Sequence, residues 1–266
     1  MLSLLLSLSI AASCTATTLQ RRDSTGYVNP ADGGGSMLTN APDTYPLGLG
    51  EPLNAIIVGT SDSEVLSLTG AGGLNNYFLS FGFGGECFGV HVGDAQTANL
   101  GDGQGTINQT AEMRWDYYNP SLGTCTETEQ GGNHFRYWVQ NGTSAATGAI
   151  FMAVSEELPL SQNHDIIPNG YNLGRDWLVG NATSRNITTS DYSTSGGTQF
   201  SGSTSYNGWT YQTTVTYTTG LLNATSVGIN HNESVPVNGQ PAIDGLVAVM
   251  EVKALQKGNG SSGSPK

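Results

Sequence analysis

The chain has 266 residues, of which 37% are hydrophobic and only 11% charged, with 9 Lys+Arg against 21 Asp+Glu and a formal net charge of −12. This balance argues against nucleic acid, whose phosphates need basic clusters, and against docking on anionic lipid. Beyond the first residues no apolar run approaches the roughly 18 residues of a transmembrane helix, so a soluble product without a membrane partner is expected.

Residues 1–16, MLSLLLSLSIAASCTA, read as a secretory signal peptide, an apolar run leading into the small residues Ala11, Ala12, Ser13 and Ala16. Residues 17–22 end in Arg21-Arg22, a dibasic pair that reads as a processing site. Cleavage there leaves Asp23 first and 9 − 2 = 7 Lys+Arg against 21 Asp+Glu, a charge of −14. Removal of the signal peptide takes Cys14 with it. Cys87 and Cys125 remain, and an even pair outside the cell predicts one disulfide. Asn-X-Ser/Thr sequons begin at Asn108, Asn141, Asn181, Asn186, Asn223, Asn232 and Asn259, the pattern of an extracellular glycoprotein with those positions on its surface.

Residues 23–50 are rich in Gly, Pro, Asn and Asp without periodicity, and read as a flexible leader outside the core. The pattern then changes. "LNAIIVGT" predicts a buried strand, and "SEVLSLTGAGGLNNYFLSFG" a helix that opens at Ser63 and is interrupted at Gly70–Gly73. "ECFGVHVG" and "AEMRWDYY" predict two more strands. Residues 133–140 and 148–155 predict a hairpin around Asn141-Gly142. "NGYNLGRDWLVGNA" has helical spacing, 183–207 reads as a Ser/Thr/Gly-rich surface loop, and "GWTYQTTVTYTT" and "GLVAVMEVKAL" predict the last strands. Together, residues 51–256 predict one α+β domain, a mixed sheet of about seven strands packed with two main helices, followed by a disordered tail at 257–266.

No Gly-x-Ser-x-Gly elbow, His-Glu-x-x-His zinc helix or Walker loop occurs. Asp94, Asn99 and Asp102 carry oxygens suited to calcium, at a spacing that fits no standard loop. The strongest constellation is a cluster of rare residues. The chain holds four His and six Arg, yet His134, Arg136, His164 and Arg175 fall within 42 residues. Strand alternation in "NHFRYWVQ" places His134, Arg136, Trp138 and Gln140 on one face, and Phe135, Tyr137 and Val139 on the core side. Three uses follow. His134 and His164 serve as acid and base with an Arg holding an anion, or His91, His134 and His164 bind a metal with a carboxylate, or the charges are structural pairs, Arg175 with Glu86, Glu156 or Asp176. A sugar-stacking platform of Trp138, Trp177 and Trp209 with Tyr117, Tyr118, Tyr211 and Tyr217 is a further reading, although the Trp209–Tyr217 face fits a core.

"EPLNAIIVGT", "GNHFRYWVQ", "GAIFMAVSEE" and "NHDIIPNGYNLGRDWLVG" together resemble a group of uncharacterised small secreted proteins from basidiomycete fungi. More remotely, the same order resembles the LssY-type C-terminal domain over about residues 51–180. The matching positions are Pro52 and Asn54, then His134, Arg136 and Trp138, then His164, and last Arg175 and Asp176. Asn169 and Asn172 stand where that family carries acidic residues, and the His164–Arg175 spacing is one residue longer. In bacteria the domain can accompany a membrane phosphatase module, so the resemblance points faintly to phosphate-bearing ligands.

The sequence therefore leads to a secreted, N-glycosylated protein of fungal type that binds an extracellular ligand or surface, anionic or carbohydrate, through a groove lined by His134, Arg136, Trp138, His164 and Arg175. No cofactor is expected and metal is left open. The alternatives are a hydrolase of esters or phosphoesters using His134 and His164, and a non-catalytic cell-wall or surface glycoprotein.

Overall fold

Two long apolar segments flanking an Asn-Gly turn build the centre of the molecule. In the computed structural model, which describes residues 25–42, 44–91 and 94–256, these segments form β6 (Gly132–Gly142) and β7 (Ala145–Glu157). They pair antiparallel as the predicted hairpin, with Gly142 opposite Ala145. The predicted signal peptide, the dibasic site, the tail and the sequon at Asn259 lie outside the described residues.

Six further strands join the hairpin: β1 (Ala55–Ile57), β2 (Phe83–Gly85), β5 (Ala111–Trp115), β8 (Gln199–Tyr206), β9 (Trp209–Thr218) and β10 (Val247–Gln256). The order is β2-β5-β6-β7-β1-β10-β9-β8, antiparallel except for β1 beside β10. A separate ribbon pairs β3 (Thr97–Asn99) with β4 (Thr106–Asn108). With helices α1 (Leu74–Leu79), α2 (Gly123–Gln130) and α3 (Gly170–Thr183) this is an α+β fold, with one strand more in its sheet than the sequence suggests.

The central strands β1, β6, β7 and β10 feed two cores. One face contributes Met113, Phe135, Tyr137, Met152, Val154, Tyr211, Val215, Tyr217 and Met250, packed against Tyr77 and Phe78 of α1 and Leu178, Val179 and Ala182 of α3. The other contributes Ile56, Trp138, Phe151 and Ala153, packed against Met37, Leu53, Leu100, Ile229, Val235 and Ile243 from the connecting segments. Helix α3 approaches the sheet so closely that a Cβ on Gly174 would lie 2.7 Å from the Ser155 carbonyl carbon, so only glycine fits there.

Four expectations are corrected. The leader is part of the domain from residue 25: Val28, Met37, Ala41 and Leu49 are buried, and Leu38 and Asn40 bridge to Pro52 and Thr97. Residues 86–91 form a turn instead of a strand, because Cys87 is tied to Cys125 and Phe88 takes a left-handed φ of 51°. The first predicted helix keeps only its second half, α1, since glycines break the stretch before it. The Ser/Thr/Gly-rich loop contains edge strand β8, held to β9 by hydroxyl and amide bonds such as Ser203 to Gln212 (2.7 Å).

Candidate functional site

The register of β5, β6 and β7 dictates which charged groups meet. Glu112 lies opposite Arg136, Arg114 opposite His134, and His134 opposite Ser155. Cβ atoms alternate along a strand, so Glu112, Arg114, His134, Arg136, Ser155 and Glu157 share one face, the one that carries Trp138 farther along β6. Helix α2 closes this corner and delivers Glu127. It can do so because its first residue is glycine: a Cβ on Gly123 would overlap the Asp116 carbonyl. The disulfide Cys87–Cys125 pins the 86–91 turn onto the same helix. From the opposite side Glu51 is held by Gln96 (Nε2 to Oε1, 2.8 Å), which in turn accepts from Thr39 Oγ1 at 2.7 Å.

The result is a continuous network. Arg114 pairs with Glu112 and donates to Glu127 Oε2 at 2.8 Å; its Nη1 is 3.8 Å from Glu157 Oε2. Arg136 pairs with Glu112 at 3.1 Å and approaches Glu51 at 3.7 Å. Glu157 lies between the two histidines, with His134 Nε2 3.4 Å from Oε1 and His164 Nδ1 3.3 Å from Oε2. Arginine only donates, so Arg136 Nη1, 3.1 Å from His134 Nε2, makes that nitrogen the acceptor. Glu127 and His134 are fully buried, whereas the side chain of His164 is 23% exposed and marks the surface end of the network.

Burial sets the protonation. It pushes the Glu127 carboxyl up to about 7 against the pull of Arg114. It drives the His134 imidazole well below its ordinary value, helped by Arg136 and Arg114. His164 moves the other way, raised chiefly by its hydrogen-bonding contact with Glu157. Among the described residues Glu127 Oε1 and His134 Nδ1 are buried without a hydrogen-bond partner. Glu127, His134 and Glu157 each bring one donor atom within 4.8 Å of the other two.

Three of the five binding residues read from the sequence are brought together: His134, Arg136 and His164. The other two are not. Trp138 is fully buried in the second core and reaches no groove. Arg175 packs 4.9 Å over the ring of Tyr217, a member of the first core. Its guanidinium is held by Asp176 (2.9 and 2.8 Å), by both oxygens of Asp244 (2.7 and 2.9 Å) and by the Leu246 carbonyl at 2.9 Å. Tyr192 and Tyr217 donate to Asp176 at 2.6 and 2.7 Å. Of the proposed Arg175 partners, Asp176 is correct, and Asp244 is unforeseen.

Asp102 is structural: its carboxylate accepts the Asn141 and Gly142 amides at the hairpin end, at 3.1 and 2.8 Å. His91 forms a surface pair with Glu86 at 2.8 Å, close to Glu112. The residues missed by sequence reasoning are Glu51, Glu112, Arg114, Glu127 and Glu157. "AEMRW" held a signal for two of them, since Glu112 and Arg114 alternate with the core residues Met113 and Trp115. Comparison with protein-family models, with curated proteins and with solved structures finds no match for this chain. Among the described residues no helix is long and apolar enough to cross a membrane.

Proposed function

We propose that this protein is secreted and binds a divalent transition-metal ion of the Zn²⁺ class in the corner formed by Glu127, His134 and Glu157. The observation that carries the reading is the triad itself, one donor atom from each residue within 4.8 Å of the other two, with Glu127 Oε1 buried and unpartnered. Buried polar groups are nearly always paired, so the spare Glu127 oxygen calls for a ligand, and His134 would ligate through Nε2, the lone pair that Arg136 Nη1 approaches. Size argues for an ion: Glu127 and His134 expose no surface, and an ester or a sugar does not reach them. One imidazole and two carboxylates form a nitrogen-and-oxygen donor set suited to zinc. The neutral imidazole is the ligating form, and burial beside two guanidiniums keeps His134 neutral. Arg114 takes only Oε2 of Glu127, and Arg136 and Glu51 balance charge at the rim.

Secretion is supported by the apolar N-terminus, the sequons and the disulfide. The likeness to small secreted basidiomycete proteins and to the LssY-type domain rests on the order of the His/Arg elements and enters as part of this proposal. A hydrolase using His134 and His164 as acid and base is disfavoured, because His134 exposes no surface to a substrate. An inert surface glycoprotein is the third reading. An anion held by Arg136 and Arg175 is withdrawn, because Arg175 belongs to another network.

The test is thermal unfolding of chelator-stripped protein with Zn²⁺, Mn²⁺ or Ca²⁺, alongside metal content by mass spectrometry. Zn²⁺ at a hundred times its dissociation constant adds about 2.7 kcal/mol of stability. Glu127→Gln, which keeps the side chain's size, abolishes that gain and still folds. No shift with any of the three ions, or an equal shift in Glu127→Gln, overturns the reading.

A further inference from the structure

A groove of about 530 Å³ opens between the end of α1, the chain leaving β5, the last turn of α3 and edge strand β8. It shares no lining residue with the Glu127–His134–Glu157 corner. Its floor is Trp115, and Tyr118 stands beside it with the ring edge-on to the indole at 4.9 Å and 86% of the residue exposed. A tyrosine so exposed is normally free to rotate with its loop, and this one is built in. Tyr117 and Tyr118 both take left-handed φ values, 47° and 59°, which bulky side chains rarely adopt. The surroundings impose that conformation: Asp116 Oδ1 accepts the Tyr118 amide at 2.8 Å, and Tyr117 donates its hydroxyl to the Gly131 carbonyl at 2.7 Å. Strain of this kind persists where neighbours over-determine it, and it gathers at ligand sites.

The polar groups of the groove are few and of different kinds. Asp116 offers a carboxylate and Arg185 a guanidinium, one charge of each sign. Asn181 lines the same groove, and its Nδ2 is buried without a hydrogen-bond partner among the described residues. We propose that this groove binds a neutral oligosaccharide, with the Tyr118 ring against one sugar face and Asp116 and Arg185 bonding its hydroxyls. A hydroxyl both donates and accepts, so it satisfies a carboxylate and a guanidinium side by side. Balanced charge disfavours phosphorylated or acidic ligands, and a fixed aromatic plate beside a few convergent polar groups is the usual construction of a small-molecule site. The volume falls within the range of roughly 300–1,000 Å³ seen for such sites. The inference is independent of the metal reading.

The experiment is isothermal titration of the full secreted chain with laminarihexaose, chitohexaose and mannohexaose in turn, before and after chelator treatment. One of these binds, equally with and without metal. Tyr118→Ala weakens it by about tenfold, the loss of one aromatic contact of roughly 1.4 kcal/mol, with an unchanged melting temperature because the ring supports no core. Arg185→Ala, at the other wall, weakens it by a smaller factor. Failure of all three sugars to bind at millimolar concentration overturns the proposal, as does undiminished binding by Tyr118→Ala.

Discussion

Two buried arginine networks sit on opposite faces of one sheet, built from the same residue types, and they differ in completeness. Around Arg175 each side-chain nitrogen has an acceptor, and Asp176 receives Tyr192 and Tyr217 besides the guanidinium. Around Arg114 and Arg136 the carboxylates Glu51, Glu112, Glu127 and Glu157 outnumber the guanidiniums, and buried atoms of Glu127 and His134 stay unpaired among the described residues. A closed network is architecture. An open one, with spare carboxylate oxygens and one partly exposed histidine at its mouth, leaves room for the proposed ion. Charge content alone does not separate the two; the accounting of hydrogen bonds does.

The largest effect is expected where closure is complete. Arg175→Met leaves Asp176 and Asp244 buried without their cation and lowers stability by about 3–5 kcal/mol. Arg136→Met costs less. Glu112 keeps Arg114, and burial already raises the Glu51 carboxyl, so that side chain can take up a proton. Urea unfolding of the two variants measures the difference, and equal losses would remove the distinction between closed and open networks. Replacing Asp176 and Asp244 with Asn together with Arg175→Met recovers part of the loss, since the stranded charges are gone.

The contrast also explains what could be read beforehand. β9 was legible because its apolar residues alternate, β6, β7 and β10 because they carry apolar runs beside turn signals or at the domain's end, and α3 because Tyr171, Leu178, Val179 and Ala182 recur at helical spacing. α2 was not legible: "GTCTETEQ" buries Thr124 and Glu127 and so lacks an apolar stripe. β8 escaped because its inward row, Phe200, Gly202, Thr204 and Tyr206, is interrupted by glycine and threonine within a Ser-rich stretch, and the leader because Val28, Met37, Ala41 and Leu49 are scattered without a period. Within the site, His134, Arg136 and His164 stood out through their rarity. Their carboxylate partners come from positions 51 to 157 and only strand register and one glycine-started helix bring them together. Arg175 looked like a fourth member on proximity in sequence alone, but the sheet lies between it and the others.

A second test acts on the wall of the open network. Cys87 and Cys125 close a separation of 38 residues, and loop-closure entropy assigns their bond roughly 4 kcal/mol before native strain is subtracted. The double variant Cys87→Ser/Cys125→Ser is expected to lose about 2–4 kcal/mol. Because α2 carries Glu127, it is also expected to lose metal-dependent stabilisation out of proportion to its melting temperature. Amide exchange should quicken in α2 and the 86–91 turn and stay slow around Arg175. Uniform quickening would mean that the two regions unfold as one unit and that the disulfide has no special bearing on the open corner.

The smallest effect concerns the sequons and reaches the closed side through α3. Asn108, Asn141, Asn186 and Asn223 are exposed and can carry glycans on the folded protein. Asn181 cannot, because its Nδ2 has no accessible surface and the Thr183 hydroxyl of the same sequon donates to the Val179 carbonyl at 2.7 Å. Peptide mass spectrometry of the protein expressed through a eukaryotic secretory pathway is expected to find Asn181 bare while exposed sites are modified. Thr183→Ala deletes the sequon and one local hydrogen bond, lowering stability by about 1 kcal/mol with no change in glycoform mass. A glycan found on Asn181 would place that side chain outside the packed helix, taking with it both a wall of the groove and the seat of Arg175 one and a half turns earlier.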